Sequence, residues 1–416
     1  MTTSNTKTAE ELPLPVWELV ALFVAMTALV ALAIDMMLPA LDDIARELNV
    51  ERANDQQYVI TTYLAGFSIT QIFYGPLADR FGRKAVMLTA IGLFLLVTVI
   101  CAFTPSFSLL LLARFLQGGA AAASRVITVA IARDLTSGRR MAEIMSMVMT
   151  AFMAVPVLAP SIGQVVLSVF GDWRAIFGFL IIFGIALAAW IQIRLPETLH
   201  PEYRTRLSVQ VVASAFGEAM SNRLMLGYTL ASMSFFGGLY AFLGSSQQIF
   251  VEHFGLSDNQ FPITFAIIAT GMSFTSYANS RLVNRLGQRR LAHGALIGFT
   301  GISALHALIL LSGIDNLILF VVLLSIALAF LGLIAANFSS IAMEPMGHIA
   351  GTASASYGFV SGIGATMIGM LIGQLYDGTA VPLIAGQSVV GALSLCAVLV
   401  TERGRLFGVG EDGEAG

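Results

Sequence analysis

The chain is a succession of long apolar runs separated by short polar connections, and the length of those runs constrains it more than any other feature. A helix that crosses a bilayer needs about 20 consecutive, mostly apolar residues. Runs of that kind extend from Val16 to Pro39, Tyr58 to Leu77, Lys84 to Thr104, Ser106 to Ala132, Met141 to Phe170 and Trp173 to Leu195. A second set extends from Leu224 to Phe250, Gln260 to Leu282, Leu291 to Leu311, Leu317 to Ile341, Ile349 to Tyr376 and Val381 to Val400. Hydrophobic residues make up 57% of the chain and charged ones 11%, whereas a soluble domain carries about 25% charged residues. The expected fold class is an all-α membrane protein with twelve transmembrane helices. Cys101 and Cys396 lie in separate apolar runs, without the spacing of a metal or redox site.

The longest polar stretch, Pro196 to Asn222, carries Glu197, His200, Arg204, Arg206 and Glu218. It divides the chain into a six-helix bundle over residues 1–195, a cytoplasmic linker over 196–222 and a second six-helix bundle over 223–416. Basic residues are unevenly placed. Lys7, Arg80, Arg83, Lys84, Arg139, Arg204, Arg206, Arg285 and Arg403 all fall on one side, with others like them, whereas Arg46, Arg52 and Arg174 fall on the other. The positive-inside rule then makes both termini cytoplasmic in a multi-pass protein of the bacterial inner membrane. Met1 to Pro15 lacks the basic start and cleavage site of a secretory signal and reads as a tail before an uncleaved first helix.

Little in the sequence supports catalysis. Lys7 and Lys84 are the only lysines and neither ends a glycine-rich phosphate loop. His200, His253, His293, His306 and His348 lack zinc-ligand spacing. Neither an enzyme nor a cofactor or metal is expected, and no nucleic-acid partner.

The connection between the second and third runs reads GPLADRFGRK, from Gly75 to Lys84. Gly75 and Pro76 end the incoming helix, Gly82 permits a tight turn, and Asp79, Arg80, Arg83 and Lys84 crowd charge into it. This string resembles the pattern between the second and third helices of major facilitator superfamily transporters. The resemblance implies two pseudo-symmetric six-helix bundles around a central cavity. It also implies a conformational latch in which Asp79 caps the eleventh helix near Gly351, Thr352 and Ser354, with Arg83 and Asp134 completing the network. An echo, SRLVNRLGQRR from Ser280 to Arg290, occupies the same place in the second half and supports a duplicated architecture.

Three ionisable residues lie well inside the runs: Asp35, Arg114 and Arg125. Each costs several kcal/mol if left facing lipid, so each should face a cavity or a partner. Gln117 lies three residues after Arg114 and shares its face. Arg125 lies eleven residues after Arg114, about three turns on, and points the same way. The small residues from Gly118 to Ala123 allow close helix contact. In the fifth run, AVPVLAPSIGQ carries Pro156 and Pro160, which kink the helix, and Gly163, which permits close packing.

Leu110, Arg114, Gln117 and Gly118 resemble the fourth-helix motif of the superfamily, linked there to proton coupling. Ala159-Pro160-x-x-Gly163 resembles its antiporter motif. With DMMLPAL after Ile34 and LPET from Leu195 to Thr198, these resemble the bicyclomycin-resistance (Bcr/CflA) group of drug/proton antiporters. The expected function is export of small amphipathic compounds in exchange for protons. Asp35 would be the proton carrier, Arg114 would stabilise its ionised form, and Gln117, Arg125, Tyr63, Tyr240, Gln247 and Asn337 would line the cavity. A monomer in the lipid bilayer is expected. Arg125 also keeps open an anionic metabolite as substrate, and a non-transporting membrane receptor is a further alternative.

Overall fold

The computed structural model describes residues 12–204 and 209–408. Lys7 and Arg206 lie outside the described residues, as does the side chain of Arg139. Ten stretches are long and apolar enough to cross a bilayer. One of them, Leu317–Gln374, contains two spans. A further span, α3 (Tyr58–Phe81), has its apolar character diluted by Thr61, Thr62, Ser68, Thr70 and Gln71. The total is the expected twelve.

The first half comprises α1 (Val16–Asp35), the short α2 (Leu41–Glu47), α3, α4 (Arg83–Phe103), α5 (Phe107–Leu135), the pair α6 (Gly138–Phe152) and α7 (Ala154–Phe170), and α8 (Arg174–Arg194). A helix also forms within the polar connection, α9 (Val209–Ser221). The second half comprises α10 (Arg223–Gln247), α11 (Gln260–Leu286), α12 (Gln288–Leu311), the pair α13 (Leu317–Ala329) and α14 (Leu331–Met343), α15 (Ala350–Gln374) and α16 (Val381–Thr401).

Three spans are interrupted where the sequence or a neighbour removes a helical bond. A proline lacks the N–H that would bond the carbonyl four residues back, and its ring crowds that carbonyl. Pro39 does this to Asp35, where α1 ends, and Pro156 does it to Phe152, where α6 ends. The fifth span, expected as one kinked helix, is thus two. The tenth breaks at Phe330 without a proline: the Thr275 hydroxyl of α11 donates to the Ala329 carbonyl and takes it out of the helical ladder.

The two halves repeat one turn. α3 gives way to α4 at Gly82 (φ 101°), and α11 gives way to α12 at Gly287 (φ 81°). Both are backbone angles that side chains other than glycine rarely adopt. Within the first half, α3 and α5 approach until backbones touch: a Cβ on Gly66 would strike the Phe115 carbonyl, and one on Gly118 the backbone of Tyr63. Small residues supply such contact where lipid removes any hydrophobic drive between helices.

One membrane side carries the α3–α4, α5–α6 and α11–α12 turns and α9; it is here called the terminus face, and the opposite side the far face. The halves are joined at the far face by neutral amides. Asn54 donates to the Gln374 and Tyr376 carbonyls at 3.1 and 2.8 Å. Gln57 donates to Gln248 at 2.7 Å and to the Gly373 carbonyl at 3.0 Å. Midway through the membrane, Ser273 of α11 donates to the Met153 carbonyl at 3.1 Å. The faces of α5 show what this closure does. Leu116, facing lipid, is 49% exposed. Arg125 follows nine residues later, two and a half turns on, and therefore faces inward. Arg114, on that inward face in the far half, is fully buried, whereas Arg125, nearer the terminus face, is exposed. The interior is sealed at the far face and open towards the terminus face.

Candidate functional site

Asp35 is the last residue of α1, is 6% exposed, and has no hydrogen-bond or ion-pair partner among the described residues. Glu18 is the other buried acid described, and it is held by Arg194 at 2.7 Å and by Trp190. The expected contact between Asp35 and Arg114 is not formed. Arg114 donates to the Val59 carbonyl at 3.0 Å, the Ala33 carbonyl at 2.9 Å and Gln117 Oε1 at 2.6 Å, and its guanidinium lies 4.5 Å from the Tyr63 ring centroid. The physical reason is the end of α1. Met37 N–H turns to Ile34, so the Ala33 carbonyl has no donor from its own helix. The guanidinium satisfies it and ties α1, α3 and α5 together two residues before Asp35.

Gly163 of α7 holds the other side of the same break. A Cβ there would collide with the Met36 backbone, so the close packing expected of this glycine is directed at the residue after Asp35. Pro160 sits inside α7 one turn earlier. Asp35 is therefore positioned by a cation on one side and a glycine contact on the other, without bonding to either.

The expected cavity residues separate. Gln117 is fully buried and passes the Arg114 bond on to Thr98 at 2.8 Å. Tyr63 lies buried beneath Arg114, its hydroxyl donating to the Val30 carbonyl at 3.4 Å. Asn337 donates to Asn279 and to its own helix, both at 2.7 Å, and pins α14 to α11. Gln247 lines a cleft of about 250 Å³ at the far face, with Asp42, Asp43 and Asp258. These four do not line the open interior. For Gln117, Tyr63 and Asn337 the polar group in an apolar run is satisfied by another helix or by the backbone, whereas Gln247 Oε1 is buried without a hydrogen-bond partner among the described residues. Arg125 and Tyr240 do face the interior. The charge of Arg125 acts on the Tyr240 and Tyr357 hydroxyls of the opposite half.

The Gly75–Lys84 motif forms a clamp inside the first half. Arg83 pairs with Asp79 and donates to Asp134 at 3.0 Å, and its backbone N–H donates to Glu197 at 2.8 Å. Lys84 donates to the Gln192 carbonyl at 2.8 Å, and Arg80 lies over the Phe81 ring. Asp79 does not cap α15. No side chain caps that helix, open space surrounds Gly351, and the Asp79 side chain is 43% exposed. Gly75 likewise has open space beside it. With the terminus face open, the α15 N-terminus is not within the carboxylate's reach.

The second half builds the same clamp from other residues. Arg289 bonds Glu344 at 2.8 and 3.0 Å and Glu402 at 3.1 Å. Glu344 follows α14 as Asp134 ends α5, and Glu402 follows α16 as Glu197 follows α8. Sequence reading missed Glu197, Glu344 and Glu402 as members. Their signal was an acid at the end of the fourth and sixth span of each half.

Residues 23–369 match the family model described as Major Facilitator Superfamily. The chain belongs to the major facilitator superfamily. It is 32% identical over 368 residues to an uncharacterized MFS-type transporter, YdgK, of Bacillus subtilis, covering 87% of this chain and 90% of that one. It is 29% identical to the bicyclomycin resistance protein homolog of Haemophilus influenzae, covering 88% and 91%. The fold matches the crystal structure of a D-xylose-proton symporter with TM-score 0.74 at 13% identity, covering 92% and 97%. As a member of the superfamily the chain is a multi-pass membrane transporter, and the paired clamps at Arg83 and Arg289 mark the repeat of its halves.

Proposed function

We propose that this transporter exports small amphipathic compounds, antibiotics among them, in exchange for protons, and that Asp35 carries the proton. The observation that supports this most is the solitary Asp35 carboxyl, buried and unpartnered beside a break in the first span. A charged carboxylate left unpaired inside a bilayer costs several kcal/mol. A conformational change that alters its surroundings therefore drives a change in its charge. Substrate and proton that favour opposite conformations are thereby coupled. A relative named for bicyclomycin resistance supports a drug as the cargo.

In this reading the terminus face is cytoplasmic, as the exposed Arg80, Arg133, Arg285 and Arg290 on it support, and the membrane is the bacterial inner membrane. Both termini are then cytoplasmic, and the conformation is the one that loads substrate from inside. Residues 1–195 and 223–416 are the bodies that rock, with 196–222 between them. The protein acts as a monomer and catalyses no covalent chemistry. The test is proton-driven export from inside-out vesicles with a drug panel, with and without an uncoupler. Export of at least one drug, abolished by uncoupler and lost in folded Asp35→Asn protein, is expected. Export that persists in the uncoupled vesicles would overturn the reading.

A further inference from the structure

We infer that the cleft at the far face is a binding site for a small organic diamine, held between acids of the two halves. The site is separate from the interior and does not depend on what the transporter carries.

The cleft draws its walls from both halves. The first half supplies Asp42, Asp43 and Arg46 of α2. The second supplies Gln247, the last residue of α10, and Asp258 in the turn before α11. Three carboxylates meet one guanidinium, so negative charge is in excess. Arg46 donates to Asp42 at 2.8 Å and to Asp43 at 2.7 Å, whereas Asp258 has no hydrogen-bond or ion-pair partner among the described residues.

Exposed acids attract cations on any surface, and Gln247 is what distinguishes this cleft. It lines the cleft yet is only 3% exposed, and its amide Oε1 is buried with no hydrogen-bond partner among the described residues. Buried polar groups are normally paired, and an orphaned acceptor carries its full desolvation cost. A ligand that brings N–H donors with its positive charge answers both the orphaned acceptor and the unpaired Asp258.

Size and layout narrow the ligand. The cleft holds about 250 Å³, less than the roughly 300–1,000 Å³ of pockets for drug-sized molecules. Among the described residues no three acids or histidines are placed to hold a metal ion. The acids stand instead on either side of the seam, which suits a flexible molecule with an ammonium at each end. Phe261, buried in the wall, offers an apolar surface to the methylenes between. A lipid ammonium is a single cation beside a phosphate and matches this layout poorly. Because the walls belong to opposite halves, the site is whole only while they meet at the far face. A bound diamine therefore favours this conformation.

The experiment is isothermal titration of full-length protein, purified in neutral detergent in dilute phosphate buffer at pH 7, with 1,4-diaminobutane. Saturable binding of one diamine per chain is expected. Ethylammonium, which reaches one half only, should bind about tenfold more weakly, and tetramethylammonium, which has no N–H, more weakly still. Asp258→Asn should weaken diamine binding about tenfold, the scale of one charge-assisted hydrogen bond. Gln247→Met, similar in volume, should weaken it severalfold and gives a second reading if Asp258→Asn protein does not fold. Glu51→Gln removes an exposed acid that does not line the cleft and should leave binding unchanged. Absence of saturable binding to wild type would overturn the site. So would equal losses in Glu51→Gln and Asp258→Asn, which would assign the attraction to the charge of the whole face. Equal affinity for ethylammonium or for Mg²⁺ would overturn the diamine as its ligand.

Discussion

The guanidinium of Arg114 lies over the ring of Tyr63, 4.5 Å from its centroid, and its N–H groups go to carbonyl oxygens rather than to the carboxylate of Asp35. This separates two roles that a cation and an acid at similar depth would otherwise share. Arg114 holds helices, and Asp35 remains free to change its charge.

Arg114→Ala should therefore act on folding. It leaves buried acceptors on Val59, Ala33 and Gln117 without a donor, at about 1–3 kcal/mol each. Thermal unfolding in detergent should show a large loss of stability. Arg114→Lys cannot span all three acceptors, and its folded fraction should keep the wild-type pH profile of transport. A profile moved by a pH unit or more would restore a direct link between Arg114 and Asp35.

Asp35→Asn removes a charge but breaks no ion pair or hydrogen bond among the described residues. Stability should change little, substrate should still bind, and proton-driven export should be lost. Proton flux and drug flux measured together in vesicles check this; undiminished coupling would leave the chain without an evident proton carrier.

Gly163→Val should damage transport through geometry. The new side chain meets the Met36 backbone, which cannot rotate away as a side chain does. Overpacking of this kind costs about 1–3 kcal/mol and shifts backbone, here beside Asp35. Gly178→Ala is the control, since nothing lies near that position. Transport rates per folded molecule should fall well below wild type for Gly163→Val and match it for Gly178→Ala.

The clamp should divide by exposure. Asp79 is 43% exposed and among the described residues pairs only with Arg83, so Asp79→Asn should cost less than about 1 kcal/mol of stability. Arg83→Gln and Arg289→Gln each remove the cation from two carboxylates, Asp79 and Asp134 or Glu344 and Glu402, and should cost several times more by thermal unfolding. If Asp79→Asn slows transport without changing stability, its carboxylate acts in the conformation where the terminus face is closed.

The sequence by itself determined the number of spans, the duplicated turn and the identity of the charges inside the membrane. Those properties are local: about 20 apolar residues span hydrocarbon in any context, and the positive φ of the turns at Gly82 and Gly287 is open to glycine without help from the rest of the fold. The helix breaks after Asp35 and Phe152 were also written in Pro39 and Pro156, because a proline removes its own bond. Which side chains meet across helices was not. Gln117 and Arg125 share a face of α5 by periodicity, yet one is sealed and the other open, because the halves close over the far half of the interior and part towards the terminus face. Two of the three acceptors of Arg114 are backbone carbonyls, of Val59 and Ala33, which carry no residue identity to read. The break at Phe330 depends on a Thr275 hydroxyl from another helix. Only the tertiary structure decides such contacts, because they depend on the distance between elements far apart in the chain.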